Sequence, residues 1–222
     1  MRHMTQSPRQ RLSPDTRREQ LLDLGVRLFA TRTLDEISID LLAEEAGISR
    51  GLLYHYFGNK QDFHEAVVRR AIQDLIEVTG PVDEDDLMTR MMISLQNYVD
   101  YVVANHTAYV SIVRAASSGN QTMHEIYHSA LTALIDRIWE SSTPEELATV
   151  GIPDTPAIRL MARGWAALTE YVVLSWIEDD RGITRDELIS TLALSLAGIA
   201  SSVGGSSFGG SSFGSQTLGG PA

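Results

Sequence analysis

The five residues from His124 to His128 have the spacing of a zinc-binding motif, His-Glu-x-x-His. Histidines four positions apart share one face of a helix and can ligate one zinc ion, and Glu125 could activate a zinc-bound water, as in zinc metallopeptidases. The motif needs a third ligand, but no histidine follows His128, and Glu145 and Glu146 lie in a proline-bounded segment. We therefore predict no catalytic residue, no metal and no cofactor. A metal-responsive protein and a zinc metallopeptidase remain as alternatives.

A second group of polar side chains, between positions 38 and 60, could bind phosphates and base edges through hydroxyl, guanidinium, imidazole and ammonium groups. The net charge of -11 argues against a nucleic-acid partner. The charge is unevenly distributed, however, because residues 1–70 carry 11 basic and 10 acidic side chains, whereas residues 71–222 carry 7 and 19. The N-terminal part is thus nearly neutral and can approach an anion.

Composition excludes several protein classes. The 222 residues include no cysteine, which rules out disulfide scaffolds, thiol catalysis and cysteine zinc sites. No uninterrupted apolar run reaches the ~18 to 20 residues of a membrane helix, and the N-terminus has no signal-peptide core. We expect a soluble cytoplasmic protein without a membrane partner.

Helix signals position the second group. Ser13, Ser38 and Ser49 each precede a helical segment and can cap it, Gly47 can end the second segment, and Asn59 can cap the next one. These signals predict helices at roughly 14–31, at about 39–46 and from Ser49 to the Gly-Asn pair at 58–59. Three short helices with a glycine turn between the last two form a helix-turn-helix pattern.

The rest of the chain is also predicted to be helical, because apolar residues recur every three or four positions and no alternating strand pattern appears. The predicted helices span 60–78, about 83–105, 108–116, 122–141, 156–178 and 184–200, with a loop at 142–154. Residues 1–12 are predicted to be a flexible basic arm, and the Gly/Ser/Phe-rich residues 204–222 a disordered tail. The expected fold class is all-α.

Residues 43–60, Ala-Glu-Glu-Ala-Gly-Ile-Ser-Arg-Gly-Leu-Leu-Tyr-His-Tyr-Phe-Gly-Asn-Lys, resemble the DNA-binding motif of the tetracycline-repressor (TetR) family of bacterial transcription regulators. The similarity extends over about residues 14–64. It implies an N-terminal three-helix helix-turn-helix domain, placed here at 13–60, and a larger helical domain for effector binding and dimerisation at 61–203. A motif of this length is far more specific than a tripeptide.

The resemblance also implies which residues contact double-stranded DNA. Arg50 would contact a base edge or a phosphate, and Lys60, the only lysine, would bind a phosphate. The full set of predicted DNA contacts is Ser38, Ser49, Arg50, Gly51, Tyr54, His55, Tyr56 and Lys60. Tyr54 could instead pack against the first helix. Asp40 near the predicted DNA surface is unfavourable beside phosphates unless it orients an arginine.

A ligand chamber is implied in the second domain, where flexible and aromatic apolar residues are frequent. The predicted pocket residues are Met88, Met91, Met92, Leu95, Tyr98, Val102, Tyr109, Val113, Arg114, Met123 and Tyr127. Their character favours an apolar or amphipathic effector, such as an acyl or drug-like molecule.

Small residues in the last two long helices permit close helix approach and predict a four-helix homodimer interface. Its predicted residues are Leu160, Gly164, Trp165, Leu168, Leu192 and Leu196. A two-fold dimer would place two recognition helices on a palindromic operator. The sequence thus predicts a ligand-responsive DNA-binding regulator, with repression as the mode that the resemblance implies.

Overall fold

The computed structural model describes residues 13–80 and 82–204. The predicted arm at 1–12 lies outside the described residues, and so does the predicted tail beyond Gly204. Within the described part every regular element is an α-helix, which confirms the all-α fold class. The helices are α1 Pro14–Phe29, α2 Ile39–Ala46, α3 Arg50–Phe57, α4 Lys60–Val78, α5 Leu87–Ala104, α6 His106–Ser117, α7 Gln121–Glu140, α8 Pro144–Thr149, α9 Pro156–Glu178 and α10 Arg185–Gly204.

The predicted caps at the start of the chain are confirmed. The hydroxyl groups of Ser13, Ser38 and Ser49 accept hydrogen bonds from backbone amides three residues later, and the Asn59 side chain does the same at the start of α4. Gly47 ends α2 in the left-handed conformation, with φ of +62°, which a side chain would strain. These local interactions explain why α1 to α4 begin where the sequence predicts.

Residues 144–149 correct the loop predicted at 142–154. They form α8, whose N-terminus carries a reciprocal capping box between Thr143 and Glu146 and has Pro144 at its first position. Proline inside a helix breaks it, but at the first helical position the missing N–H would have no intrahelical partner in any case. Leu147 is buried against the core, so tertiary packing also favours the helix.

One hydrophobic core joins the N-terminal helices to the rest of the protein. Buried residues of α1 to α3 pack with the first part of α4 and with α6 and α7. The Leu34 amide also donates a hydrogen bond of 2.8 Å to Ser111 Oγ on α6. The packing is therefore continuous across residue 60, where the sequence predicts a domain boundary.

Much of α10 is not buried within the chain. Over Arg185–Val203 the helix has a mean hydropathy of 1.2 and only 22% of the segment is buried, so by length and composition it could cross a membrane. Ser190, Thr191 and Ser195 interrupt its apolar run, which is why no membrane helix is predicted from the sequence. Leu194 is its most exposed large apolar side chain, at 72%.

Candidate nucleic-acid interface and effector cavity

Helices α2 and α3 form a small unit with its apolar side buried and its polar side open. Leu42 of α2 and Leu53 and Phe57 of α3 are buried in the shared core. The predicted DNA contacts on α3 and at its ends are exposed apart from the half-buried Tyr56, and Ser38, at the start of α2, is also half-buried. Tyr54 is 46% exposed and so does not take the alternative position in the core.

The Ser38 and Ser49 hydroxyl groups have a structural task, because each accepts a hydrogen bond from its own helix. They therefore lie at helix N-termini, where the remaining backbone amides and the positive end of the helix dipole attract an anion. Lys60 is exposed at the start of α4, beyond the end of α3.

Arg50 and Asp40 form an ion pair on the exposed side of this unit. Both side chains are mostly exposed, so the pair contributes little to folding stability. The contact instead restricts the orientation of the Arg50 guanidinium. An acid that pairs with an arginine in this way is compatible with a DNA-binding surface.

Two arginines of α1 were not singled out from the sequence. The Arg18 guanidinium lies 5.2 Å from the centroid of the Phe57 ring, and Arg17 donates a hydrogen bond of 3.5 Å to the carbonyl of Ala46, the last residue of α2. Both place positive charge beside the α2–α3 unit. Their position on α1, one turn after its capped start, was the signal in the sequence that could have indicated this placement.

The N-terminal half of α4 packs against the buried side of the α2–α3 unit. α1 crosses it at Gly25, where a Cβ atom would lie 2.7 Å from Val67 and 2.8 Å from Phe63. The ring of Phe63 packs edge-on against Phe57, with centroids 5.1 Å apart. The buried His64 Nε2 lies 2.8 Å from the Ile37 carbonyl oxygen, just before α2. Any movement of α4 must therefore act on α2 and α3.

We expect the His64 contact to make stability depend on pH. Burial lowers the pKa of His64, an effect that Lys60 reinforces, while the bond to Ile37 and the charge of Asp35 oppose it. As the pH falls below the unfolded value of about 6.5, the unfolded chain binds the proton first, so the free energy of unfolding decreases. Well above that pH His64 is neutral in both the folded and the unfolded state, so it adds no pH dependence to the free energy of unfolding.

The His64→Gln variant removes this titration and keeps an N–H donor for Ile37. Urea unfolding between pH 7.5 and 5.5 should show a steeper loss of stability in the wild type than in the variant. Parallel curves would contradict the prediction.

A cavity of about 170 Å³ lies among α5, α7, α9 and α10, next to Thr79 at the end of α4 and to the segment between α8 and α9. Of the predicted pocket residues, Met88, Met91, Met92, Leu95 and Tyr98 line it. Tyr109 and Tyr127 line a separate cavity of about 30 Å³. The structure places the others elsewhere: Val102 and Met123 are buried in the core, Val113 packs against it, and Arg114 is exposed.

Other residues of the larger cavity were not predicted, including Leu134, Ile135 and Arg137 of α7. A helix with apolar residues at this spacing is equally compatible with ordinary core packing, so the sequence contained no signal that distinguishes cavity lining.

Trp165, Leu192 and Leu196 correct the predicted dimer surface. Trp165 and Leu192 are buried within one chain, and the Trp165 indole N–H donates hydrogen bonds of 3.1 Å to the Leu192 carbonyl and 3.0 Å to Ser195 Oγ. Trp165 and Leu196 also line the larger cavity. The physical reason is that α9 packs on α10 within the same chain. These side chains are therefore covered by that contact and are not available to a second copy.

Two tyrosines bind one carboxylate near the two cavities, and a third tyrosine binds one of them. Tyr109 donates a hydrogen bond of 2.9 Å to Glu170 Oε2, and Tyr127 donates to the same oxygen. Because the Tyr109 proton is used, Tyr98 donates to Tyr109, at 3.0 Å. Burial raises the pKa values of these tyrosines, so they stay protonated donors. The network satisfies polar groups that would otherwise be buried without partners.

The two histidines with zinc-motif spacing lie on the exposed side of α7. The rings of His124 and His128 have centroids 4.1 Å apart. Glu125 accepts a hydrogen bond from Gln121 instead of facing the pair. Within residues 13–80 and 82–204, no three histidines or carboxylates come together in a way that could hold a metal ion.

Comparison with known proteins shows which family this chain belongs to. The family model described as bacterial regulatory proteins, tetR family, matches residues 21–67. The crystal structure of a tetR-family transcriptional regulator from Streptomyces coelicolor is 30% identical, covers 86% of this chain and 85% of its own, and superposes with a TM-score of 0.72. The chain belongs to the TetR family.

Curated relatives in the TetR family include both signs of regulation. The transcriptional activator FasR of Mycolicibacterium smegmatis is 22% identical over 86% of this chain and 86% of its own. The transcriptional repressor KstR2 of Rhodococcus jostii is 26% identical and covers 83% of this chain and 92% of its own. TetR-family regulators are soluble proteins that dimerise and bind DNA operators and small-molecule effectors. This chain is accordingly a ligand-responsive, DNA-binding transcription regulator.

Proposed function

We propose that this TetR-family protein is a cytoplasmic homodimeric repressor that an apolar or amphipathic molecule releases from a palindromic operator. One observation carries the proposal: α4 begins at Lys60, directly after α3, and ends beside the larger cavity, where Thr79 is part of the lining. A ligand that displaces the end of α4 would therefore move the surface that contacts DNA. By linkage, ligand and DNA must weaken each other's binding by the same factor.

The α2–α3 unit supplies the proposed DNA contacts. Arg50 and His55 present donors from the exposed side of α3, Gly51 allows close backbone approach, and Lys60 adds a phosphate contact. The proposed contacts from the sequence are retained, with Arg17 of α1 added because it lies at the end of α2.

The proposed dimer surface is the exposed stripe of α9 together with the outer side of α10. Leu160, Gly164 and Leu168 recur every four residues and face outward, and Tyr171 continues the stripe at 72% exposure. On α10, Leu194 is exposed among small residues. An exposed apolar surface of this kind is typical of a protein–protein contact, and a second copy would cover it by two-fold symmetry. This also accounts for the low burial of α10.

The proposed function is tested by selecting duplexes from a random library with the full-length protein. We expect an inverted repeat whose half-sites lie about one helical turn, ~34 Å, or more apart, bound by two chains per duplex in sedimentation. A reporter gene placed behind the selected sequence should lose expression when the protein is present. Absence of an enriched sequence would contradict the proposal, and increased expression would reverse the sign of regulation.

The Asp40→Asn variant distinguishes two effects of Asp40 on DNA binding: its orientation of Arg50 and its negative charge. Removing the carboxylate takes a negative charge away from the phosphates, so affinity for a random duplex should rise. It also releases Arg50, so discrimination between the selected and the random duplex should fall, by about fivefold or more. Fluorescence anisotropy with both duplexes measures the ratio. A ratio that stays the same or increases would show that Asp40 does not orient Arg50.

A further inference from the structure

Two arginines line the larger cavity, and they differ in how their charge is balanced. Arg90 forms an ion pair of 2.8 Å with Glu146 and donates to the Glu84 carbonyl. Arg137 has no carboxylate within ion-pair distance among the described residues, and it donates only to uncharged oxygens. The acid whose charge acts on it, Glu140, is exposed and forms no ion pair with it. A partly buried cation beside an apolar cavity thus lacks an anion.

The hydrogen bonds of Arg137 hold the C-terminal end of α4. Its guanidinium donates to the Ile76 carbonyl at 2.8 Å, to the Thr79 carbonyl at 2.5 Å and to Thr79 Oγ1 at 3.1 Å. The last carbonyls of a helix have no intrahelical partners, and a cation there is also favoured by the helix dipole. Arg137 therefore stabilises the end of the helix whose other end begins next to α3.

A second polar group faces the cavity without a partner. Thr169 lines the cavity and is 3% exposed, and its Oγ1 is buried with no hydrogen-bond partner in the structure. A buried hydroxyl without a partner is unfavourable, and an oxygen of a bound molecule would satisfy it. The remaining lining is largely apolar and includes three adaptable methionines.

We infer that the effector of this cavity is an amphipathic carboxylate whose charged group binds Arg137 and thereby withdraws it from the end of α4. The inference rests on the proposed function and specifies its ligand and its coupling. The planar guanidinium matches a carboxylate through two parallel hydrogen bonds, and this pairing adds an attraction between opposite charges that the carbonyl oxygens do not supply. The apolar chain then occupies the methionine-lined space, and the end of α4 loses its cap.

Calorimetric titration of the full-length dimer with dodecanoate and with dodecan-1-ol, below their aggregation limits, tests the charge requirement. The two probes have the same chain and differ in the charged group. We expect the wild type to bind dodecanoate about tenfold or more tightly than the alcohol. Arg137→Gln should reduce this preference to about threefold or less by weakening dodecanoate binding, and Arg137→Lys, which keeps the charge but loses the two parallel donors, should give an intermediate preference.

Arg90→Gln is the matched control, because Arg90 lines the same cavity but is already neutralised by Glu146. It should keep the preference for dodecanoate. Equal binding of acid and alcohol to the wild type, or loss of the preference in Arg90→Gln with retention in Arg137→Gln, would overturn the inference.

Hydrogen exchange tests the coupling without depending on ligand affinity. Peptides covering the end of α4, around residues 72–80, should exchange about tenfold faster in wild type saturated with dodecanoate than in free wild type. Dodecan-1-ol should not produce this change, and ligand-free Arg137→Gln should already show it. Unchanged exchange with bound dodecanoate would overturn the coupling.

The outcomes distinguish this inference from the proposed function. Binding of both probes with equal affinity, accompanied by release of DNA, would overturn the carboxylate assignment and leave an effector-released repressor. Selective binding of dodecanoate through Arg137 without any change in DNA affinity would support the assignment and contradict release. Failure of the wild type to bind either probe would overturn the carboxylate assignment itself.

Discussion

Replacing Arg50 with alanine is expected to lower the affinity of the dimer for its selected duplex at least about thirtyfold. A specific arginine contact is worth about 1–3 kcal/mol, and a symmetric dimer loses it twice. Arg50 lies on the exposed side of α3, and its guanidinium is oriented by Asp40. Fluorescence anisotropy over a series of salt concentrations measures the effect. Binding to a random duplex should weaken much less, because that binding depends on total charge.

The matched control for this result is Arg181→Ala. Arg181 is also highly exposed and also pairs with an aspartate, Asp179, but it lies in the turn between α9 and α10. Its removal should leave affinity for the selected duplex within about twofold. Folding should be unaffected in both variants, since neither arginine is buried. Unchanged affinity of Arg50→Ala at every salt concentration would remove Arg50 from the proposed DNA contacts.

The second large effect is expected from glutamate at Leu160 and Leu168 together. These side chains are 61% and 44% exposed in the single chain and lie on the same stripe as Gly164. A second copy packed there would bury four carboxylates without partners, at a cost of several kcal/mol. We expect a monomer in sedimentation at micromolar concentration and, because two half-sites are no longer joined, loss of tight operator binding.

Val103→Glu provides the control for the dimer variant. Val103 is 46% exposed on α5 and is not part of the stripe, so the same substitution should leave the dimer intact. Circular dichroism should show normal helix content in both proteins. A persistent dimer of the double variant would contradict the proposed surface. Trp165 is unsuitable for this experiment, because a charge at that buried position would disturb the α9–α10 packing within one chain.

Local signals explain why much of the N-terminal part was predictable. A serine cap, a left-handed glycine and a short apolar repeat each act within a few residues, so their effects can be derived from adjacent positions. The same reasoning was incomplete for Pro144, because the choice between ending and starting a helix depends on whether the next apolar residue, Leu147, finds a core to enter.

The candidate site was predictable only in part, because local motifs can be derived from adjacent residues whereas the packing between helices cannot. Arg50, Tyr54 and Lys60 follow from a continuous motif, and the helix-turn-helix unit exposes them together. The cavity is lined by four helices and the segments next to them, and apolar spacing on one helix does not specify which residues meet a void and which meet another side chain. Val102 and Met123 therefore appeared equivalent to Met91 in the sequence, although only Met91 lines the cavity.

The all-helical class, the caps and the helix-turn-helix could be derived from the amino-acid order alone, because they depend on residues close along the chain, and the family could be inferred from the continuous motif at 43–60. The packing of whole helices was needed to show that Trp165 points inward, that the core continues across residue 60, and that Arg137 holds the distant end of α4 while facing the cavity. Arg137 and Ile76 are 61 positions apart, and Leu34 and Ser111, which join the two parts of the core, are 77 apart. Such contacts arise from how whole helices pack, and no local pattern of residue types encodes them.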